Sequence, residues 1–97
     1  MITVTVSLTS EKPFKHQRVL IDEGTLDKQE MRFVGDVAST AVAPGAHRLS
    51  WFVEGDDGQA YTLTMLEPSS NCSGPGTMSG GSDQGTCRFS ALTNAIM

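Results

Sequence analysis

The sequence predicts an all-β domain, an antiparallel β-sandwich of six to seven short strands that spans residues 1–97 as one unit. Three observations carry that expectation. Residues 2–9 alternate strictly between apolar and polar side chains, the signature of a half-buried strand. Turn-forming residues recur about every eight to twelve positions, the rhythm of a sandwich. No stretch shows the apolar stripe of an amphipathic helix.

Ile2, Val4, Val6 and Leu8 share one face of the first strand, and Thr3, Thr5, Ser7 and Thr9 the other. Pro13 falls in the following connection, where a missing backbone donor is harmless. A second strand is read over Arg18–Asp22, closed by the turn Asp22-Glu23-Gly24. Thr25–Glu30 is the one place where a single helical turn is conceivable. Glu30–Val37, with Met31 and Phe33 in phase, reads as a third strand with Gly35 as a bulge. Ala38–Ala43 reads as a short edge strand stopped by Pro44-Gly45. His47–Glu54 places Leu49, Trp51 and Val53 on one face. Tyr61–Glu67 places Tyr61, Leu63 and Met65 in phase, and the two segments are expected to pair as a hairpin across Gly55-Asp56-Asp57-Gly58. Arg88–Leu92 is the last strand, and Thr93–Met97 a tail.

The only two cysteines, Cys72 and Cys87, bracket SGPGTMSGGSDQGT, which holds five of the chain's ten glycines. This stretch, residues 73–86, reads as a Gly/Ser-rich loop. Ordering so many glycines costs much conformational entropy, so such a loop is either mobile or pinned. A Cys72–Cys87 disulfide would pin it. That reading implies an extracytoplasmic or secreted protein; two free thiols would imply a cytoplasmic one.

Ninety-seven residues, 38% hydrophobic and 19% charged, suffice for one modest core. The net charge of −4 argues against a nucleic-acid partner, despite the local cluster Lys12, Lys15, His16 and Arg18. No apolar run approaches the length of a membrane span, so no membrane insertion is expected. Nor does a basic, apolar leader precede the alternation that begins at Ile2.

From Val19 onward, VLIDEG (19–24), PGAHRLSW (44–51), the Val-Glu-Gly at 53–55 and YTLTM (61–65) resemble bacterial immunoglobulin-like or PEGA-type β-sandwich modules. The resemblance covers about half the chain, and the glycine and threonine-proline step expected between those strands is missing. It implies an immunoglobulin-like accessory or surface module that binds or spaces other domains, and it carries no catalytic residues.

Side-chain chemistry is equally spare. Trp51 and Tyr61 are in phase with the core, whereas Phe52 points to the opposite face and is the aromatic to inspect for an exposed patch, beside Phe14. His16 and His47 lack metal-ligand spacing, and His47, after a Pro-Gly corner, reads as a turn cap. Glu54, Asp56 and Asp57 put three carboxylates near one loop, where calcium competes with an ordinary solvated turn. The loop glycines lack the lysine-serine/threonine ending of a phosphate cradle, and no positioned base serves either cysteine as a nucleophile. Asn71-Cys72-Ser73 formally fits a glycosylation acceptor. The expected function is therefore a non-enzymatic binding or spacer module without cofactor or metal. Its contact to an unidentified protein partner would run through the Cys72–Cys87 loop, with Gly74, Pro75, Met78 and Asp83 as contact residues. Exposed strand edges offer a second route, and a carbohydrate-binding module with an exposed Trp51 or Phe52 is the alternative, with a glycan as partner.

Overall fold

A computed structural model describes residues 2–68 and 72–91. Nine strands occur among them: β1 (Ile2–Ser10), β2 (His16–Ile21), β3 (Gln29–Glu30), β4 (Arg32–Val34), β5 (Val37–Val42), β6 (Gly45–Glu54), β7 (Ala60–Glu67), β8 (Gly74–Thr77) and β9 (Ser82–Ala91). They form two antiparallel sheets, one of five strands in the order β4-β5-β1-β7-β8 and one of four in the order β3-β2-β6-β9. No helix among the described residues is long and apolar enough to cross a membrane.

The core lies between the sheets. From the five-stranded sheet it takes Val4, Val6, Leu8, Ala38, Val42, Leu63 and Met65; from the four-stranded sheet, Val19, Ile21, Leu49, Val53, Phe89 and Ala91. The alternation of β1 works as expected, with Val4, Val6 and Leu8 fully buried. Each buried aliphatic side chain of this kind contributes about 1.5–3 kcal/mol of transfer free energy.

Several expectations are corrected. First, His47–Glu54 and Tyr61–Glu67 do not pair as a hairpin: β6 pairs with β2 and β9, whereas β7 pairs with β1 and β8. The connection 55–59 is an arch from one sheet to the other, so the two apolar faces meet across the core instead of lying side by side. Gln59, 8% exposed, locks the arch by accepting from Asp56 N (2.8 Å) and donating to Ser10 Oγ (2.8 Å) and Lys12 O (2.9 Å). Gly55 permits it, since a Cβ there would collide with Gln59 and Met78.

Second, Glu30–Val37 is not one strand. β3 belongs to the four-stranded sheet and β4 to the five-stranded one, and the buried Met31 marks the crossing. Alternation survives the crossing because Met31 and Phe33 both pack on the core. Gly35 is not a bulge; it begins the two-residue turn between β4 and β5, with φ of 65°. Third, Ala38–Ala43 is not an edge, because β5 lies between β4 and β1. Residues 25–30 hold turns and β3 rather than a helical turn; Thr25 Oγ1 donates to Asp22 O (2.8 Å) and accepts from Asp27 N (3.1 Å).

Fourth, the Cys-bracketed stretch is not a loop along its length. Gly74–Thr77 form β8 on the edge of one sheet, and β9 starts at Ser82 on the edge of the other. The last strand therefore runs Ser82–Ala91 where Arg88–Leu92 was expected; Leu92, the tail 93–97 and the acceptor asparagine Asn71 lie outside the described residues. The Cys72 and Cys87 sulfurs stand at disulfide-bonding distance, with Cα atoms 5.7 Å apart. They clip the two sheet edges together.

Candidate functional site

Hydrogen-bond parity decides which side chains share the outer face of the four-stranded sheet. Lys15 N donates to Glu54 O and Asp22 N to Arg48 O, both at 2.8 Å, so the even-numbered residues of β6 bond toward β2. Their partners on β9 are therefore non-hydrogen-bonded pairs, in which side chains stand closest. The register on the outer face reads His16–Glu54–Ser82 and then Arg18–Phe52–Gln84. Leu20–Ser50–Thr86 follows, and Arg48–Arg88 closes the series.

Phe52 lines a cleft of about 690 Å³ on this face. His16, Arg18 and Glu54 line it from β2 and β6, and Ser79, Ser82, Asp83 and Gln84 from the Cys-bracketed segment. Arg18 is held in place by Glu30, its Nε donating at 3.1 Å and one terminal nitrogen at 3.0 Å. That two-pronged bond raises the guanidinium pKa and pulls the Glu30 carboxyl down. His16 Nε2 is 4.0 Å from Glu54.

Behind the cleft a polar chain runs inward. Trp51 Nε1 donates to Tyr61 Oη at 3.0 Å, and Tyr61 donates to Asp83 Oδ2 at 2.5 Å. Burial, together with the Asp83 carboxylate, pushes the Tyr61 hydroxyl up to about 12. The two rings sit on glycines of the bracketed segment: a Cβ at Gly85 would overlap Trp51, and one at Gly76 would lie 2.5 Å from Tyr61 Cζ. Trp51 is thus a half-buried, hydrogen-bonded packing residue, and its expected core role holds in large part.

The contact residues read from the sequence separate. Met78 is fully buried, and Asp83 turns its carboxylate to Tyr61. Gly74 and Pro75 belong to β8, against Leu63 and Thr62. The segment meets the cleft through Ser79 and Ser82, which flank the turn with φ of 71° at Gly80 and 87° at Gly81, and through Asp83 and Gln84 at the start of β9. Phe14 is not beside Phe52; it packs edge-on against Tyr61, ring centres 6.4 Å apart. The edge of β9 is met at two points, where Ser82 bridges to Ser79 and where the Arg88 carbonyl lies 3.4 Å from Cys72 Sγ.

The three carboxylates near the arch go to separate partners. Asp56 pairs with Lys12 (3.3 Å) and Lys15 (3.8 Å), Asp57 accepts from Gly80 N (2.8 Å), and Glu54 faces His16. Among the described residues no group of three potential ligands is placed to hold a metal ion. His47 does cap its corner, with Nε2 2.6 Å from Ala43 O and Nδ1 2.6 Å from Asp22 Oδ2. This contact joins the 19–24 and 44–51 segments.

The phase of Phe52 was legible along one strand. Arg18, Gln84 and the serines of the 79–82 turn were not, because only the register of three strands brings them beside it. Comparison of the chain with family models, with curated proteins and with solved structures returns no match.

Proposed function

We propose that the chain is a non-enzymatic, extracytoplasmic binding module whose ligand is a glycan seated on Phe52. The observation that carries this reading is the cleft of about 690 Å³ lined by Phe52, whose register neighbours on either side are a fixed guanidinium, Arg18, and an amide, Gln84. A pyranose ring offers an apolar face to stack on a phenyl ring and equatorial hydroxyls for planar polar side chains. Small-ligand sites in general combine an apolar surface with a few placed polar groups. Arg18, already oriented by Glu30, loses little side-chain entropy on binding.

The bracketed segment keeps a part in this reading as one wall of the cleft, through Ser79, Ser82 and Gln84. A protein partner held by a free loop at 73–86 is supported less well, since that segment contributes a strand to each sheet. Deleting 73–86 would remove β8 and half of β9, so it does not isolate recognition from folding. His47 offers no base for catalysis, because both ring nitrogens are engaged. The disulfide-distance cysteine pair and the resemblance of the sequence to immunoglobulin-like or PEGA-type modules both fit a surface accessory module.

The test is Phe52→Ala, checked for folding by near-ultraviolet circular dichroism and titrated with a panel of oligosaccharides. Affinity should fall at least tenfold for every sugar that the unaltered protein binds. Undiminished affinity in the folded variant would remove Phe52 as the platform, and no binding of any sugar by the unaltered protein would defeat the glycan reading.

A further inference from the structure

Arg48 and Arg88 stand directly opposite each other on β6 and β9, on the same face as Phe52. The parity of the β6 bonds makes theirs a close, non-hydrogen-bonded pair, and like charges directly opposite destabilise a sheet. The neighbouring cation is compensated: Arg18 has Glu30. Among the described residues, neither Arg48 nor Arg88 has a carboxylate within ion-pair distance. Arg48 donates one terminal nitrogen to Glu23 O at 2.6 Å, which fixes its guanidinium, and Arg88 is exposed. Asp22 lines the same concavity as the two arginines, but its carboxylate is engaged by His47 and by Arg48 N at 3.0 Å. An arginine pair without a carboxylate partner among the described residues, in a chain with only seven lysines and arginines and a net charge of −4, calls for an anion.

Both arginines line a shallow concavity of about 290 Å³. Arg48 is four residue steps from Phe52 along β6, about 13 Å on an extended strand. Ser50 lies between them in register but is only 1% exposed, so the two ends of the face, and not this middle position, are what a ligand can touch.

Building on the glycan reading, we propose that the ligand is an acidic oligosaccharide, with one sugar stacked on Phe52 and a carboxylate or sulfate of a later sugar between Arg48 and Arg88. Two guanidinium groups suit such oxyanions because each presents paired N–H donors. The pair that strains the free sheet becomes a complementary site once the anion neutralises it.

The experiment is calorimetric titration of the intact, disulfide-bonded protein. The probes are hexagalacturonate and its methyl ester, a κ-carrageenan hexasaccharide and its desulfated form, poly-glutamate and sodium sulfate. In at least one sugar pair the acidic member should bind tenfold more tightly or better. Arg88→Gln should bring that pair within twofold, leave the neutral sugar's affinity unchanged, and raise the unfolding midpoint of the free protein. Equal affinities within both pairs would overturn the anion subsite while leaving the glycan reading intact; failure of every sugar to bind would overturn both. A preference that survives Arg88→Gln would remove Arg88 from the site. Poly-glutamate or free sulfate binding as tightly as the best hexasaccharide would overturn the assignment to an acidic glycan.

Discussion

On one side of the sandwich the chain passes from the four-stranded to the five-stranded sheet through Met31, and on the other it passes between the same sheets through Met78. Both methionines are buried, and both donate a backbone N–H to a neighbouring strand or arch, Met31 to Val19 O and Met78 to Gln59 O, each at 2.8 Å. The fastenings around them differ. The Met31 side relies on the exposed Arg18–Glu30 pair and on Thr40 Oγ1 donating to Gln29 Oε1 at 2.7 Å. The Met78 side has the Cys72–Cys87 clip, the Trp51-Tyr61-Asp83 chain and two rings bedded on glycines. A flexible thioether suits both crossings, because it fills the irregular gap left where a strand changes sheets. The difference teaches that glycine content marks the side carrying bulky rings, not the side that is loose.

The largest expected effect comes from emptying the crossings themselves. Met31→Ala and Met78→Ala should each cost about 2–5 kcal/mol in denaturant unfolding. Met78→Ala should be the worse, since a clipped crossing collapses less readily into the cavity. A reversed ranking would break the comparison. Next is Cys72→Ser with Cys87→Ser, expected to lower stability by about 3 kcal/mol for a loop of this size. Hydrogen exchange should then quicken in β8 and β9 while β3 and β4 stay as they were. Quickening on both sides alike would show that the two crossings unfold as one unit. The smallest effect belongs to Glu30→Gln, which removes an exposed charge and should leave the unfolding midpoint within error. A clear drop there would promote the Arg18–Glu30 pair to a main fastening of the Met31 side.

The same contrast explains what was legible in the residues alone. β1 could be read almost to the residue, because Val4, Val6 and Leu8 alternate against hydroxyl side chains and nothing distant alters that. β6 and β7 were placed correctly as strands, but their pairing was not: phase says that a face is buried, not whether its partner lies beside it or across the core. The break at Met31 is invisible to periodicity because Phe33 keeps the rhythm. Gly76 and Gly85 look like loop residues until Tyr61 and Trp51, distant in sequence, are seen resting on them. The proposed site has the same character. Phe52 announced itself by its phase, whereas the Arg48–Arg88 and Phe52–Gln84 pairs exist only through register.

His47 carries one more consequence. Its two neighbours, the Asp22 carboxylate and the Ala43 carbonyl, can only accept, so satisfying both requires a proton on each ring nitrogen. Burial pulls the ring's pKa down, but the bonds to Ala43 and Asp22 outweigh it and the net shift is upward. Stability from this corner is therefore complete below the pKa of the unfolded chain and fades as pH rises through the higher folded value. A hydrogen ion is in effect a bound constituent of the fold, and the turn after β2 is fastened to the start of β6 more firmly in acid than in alkali.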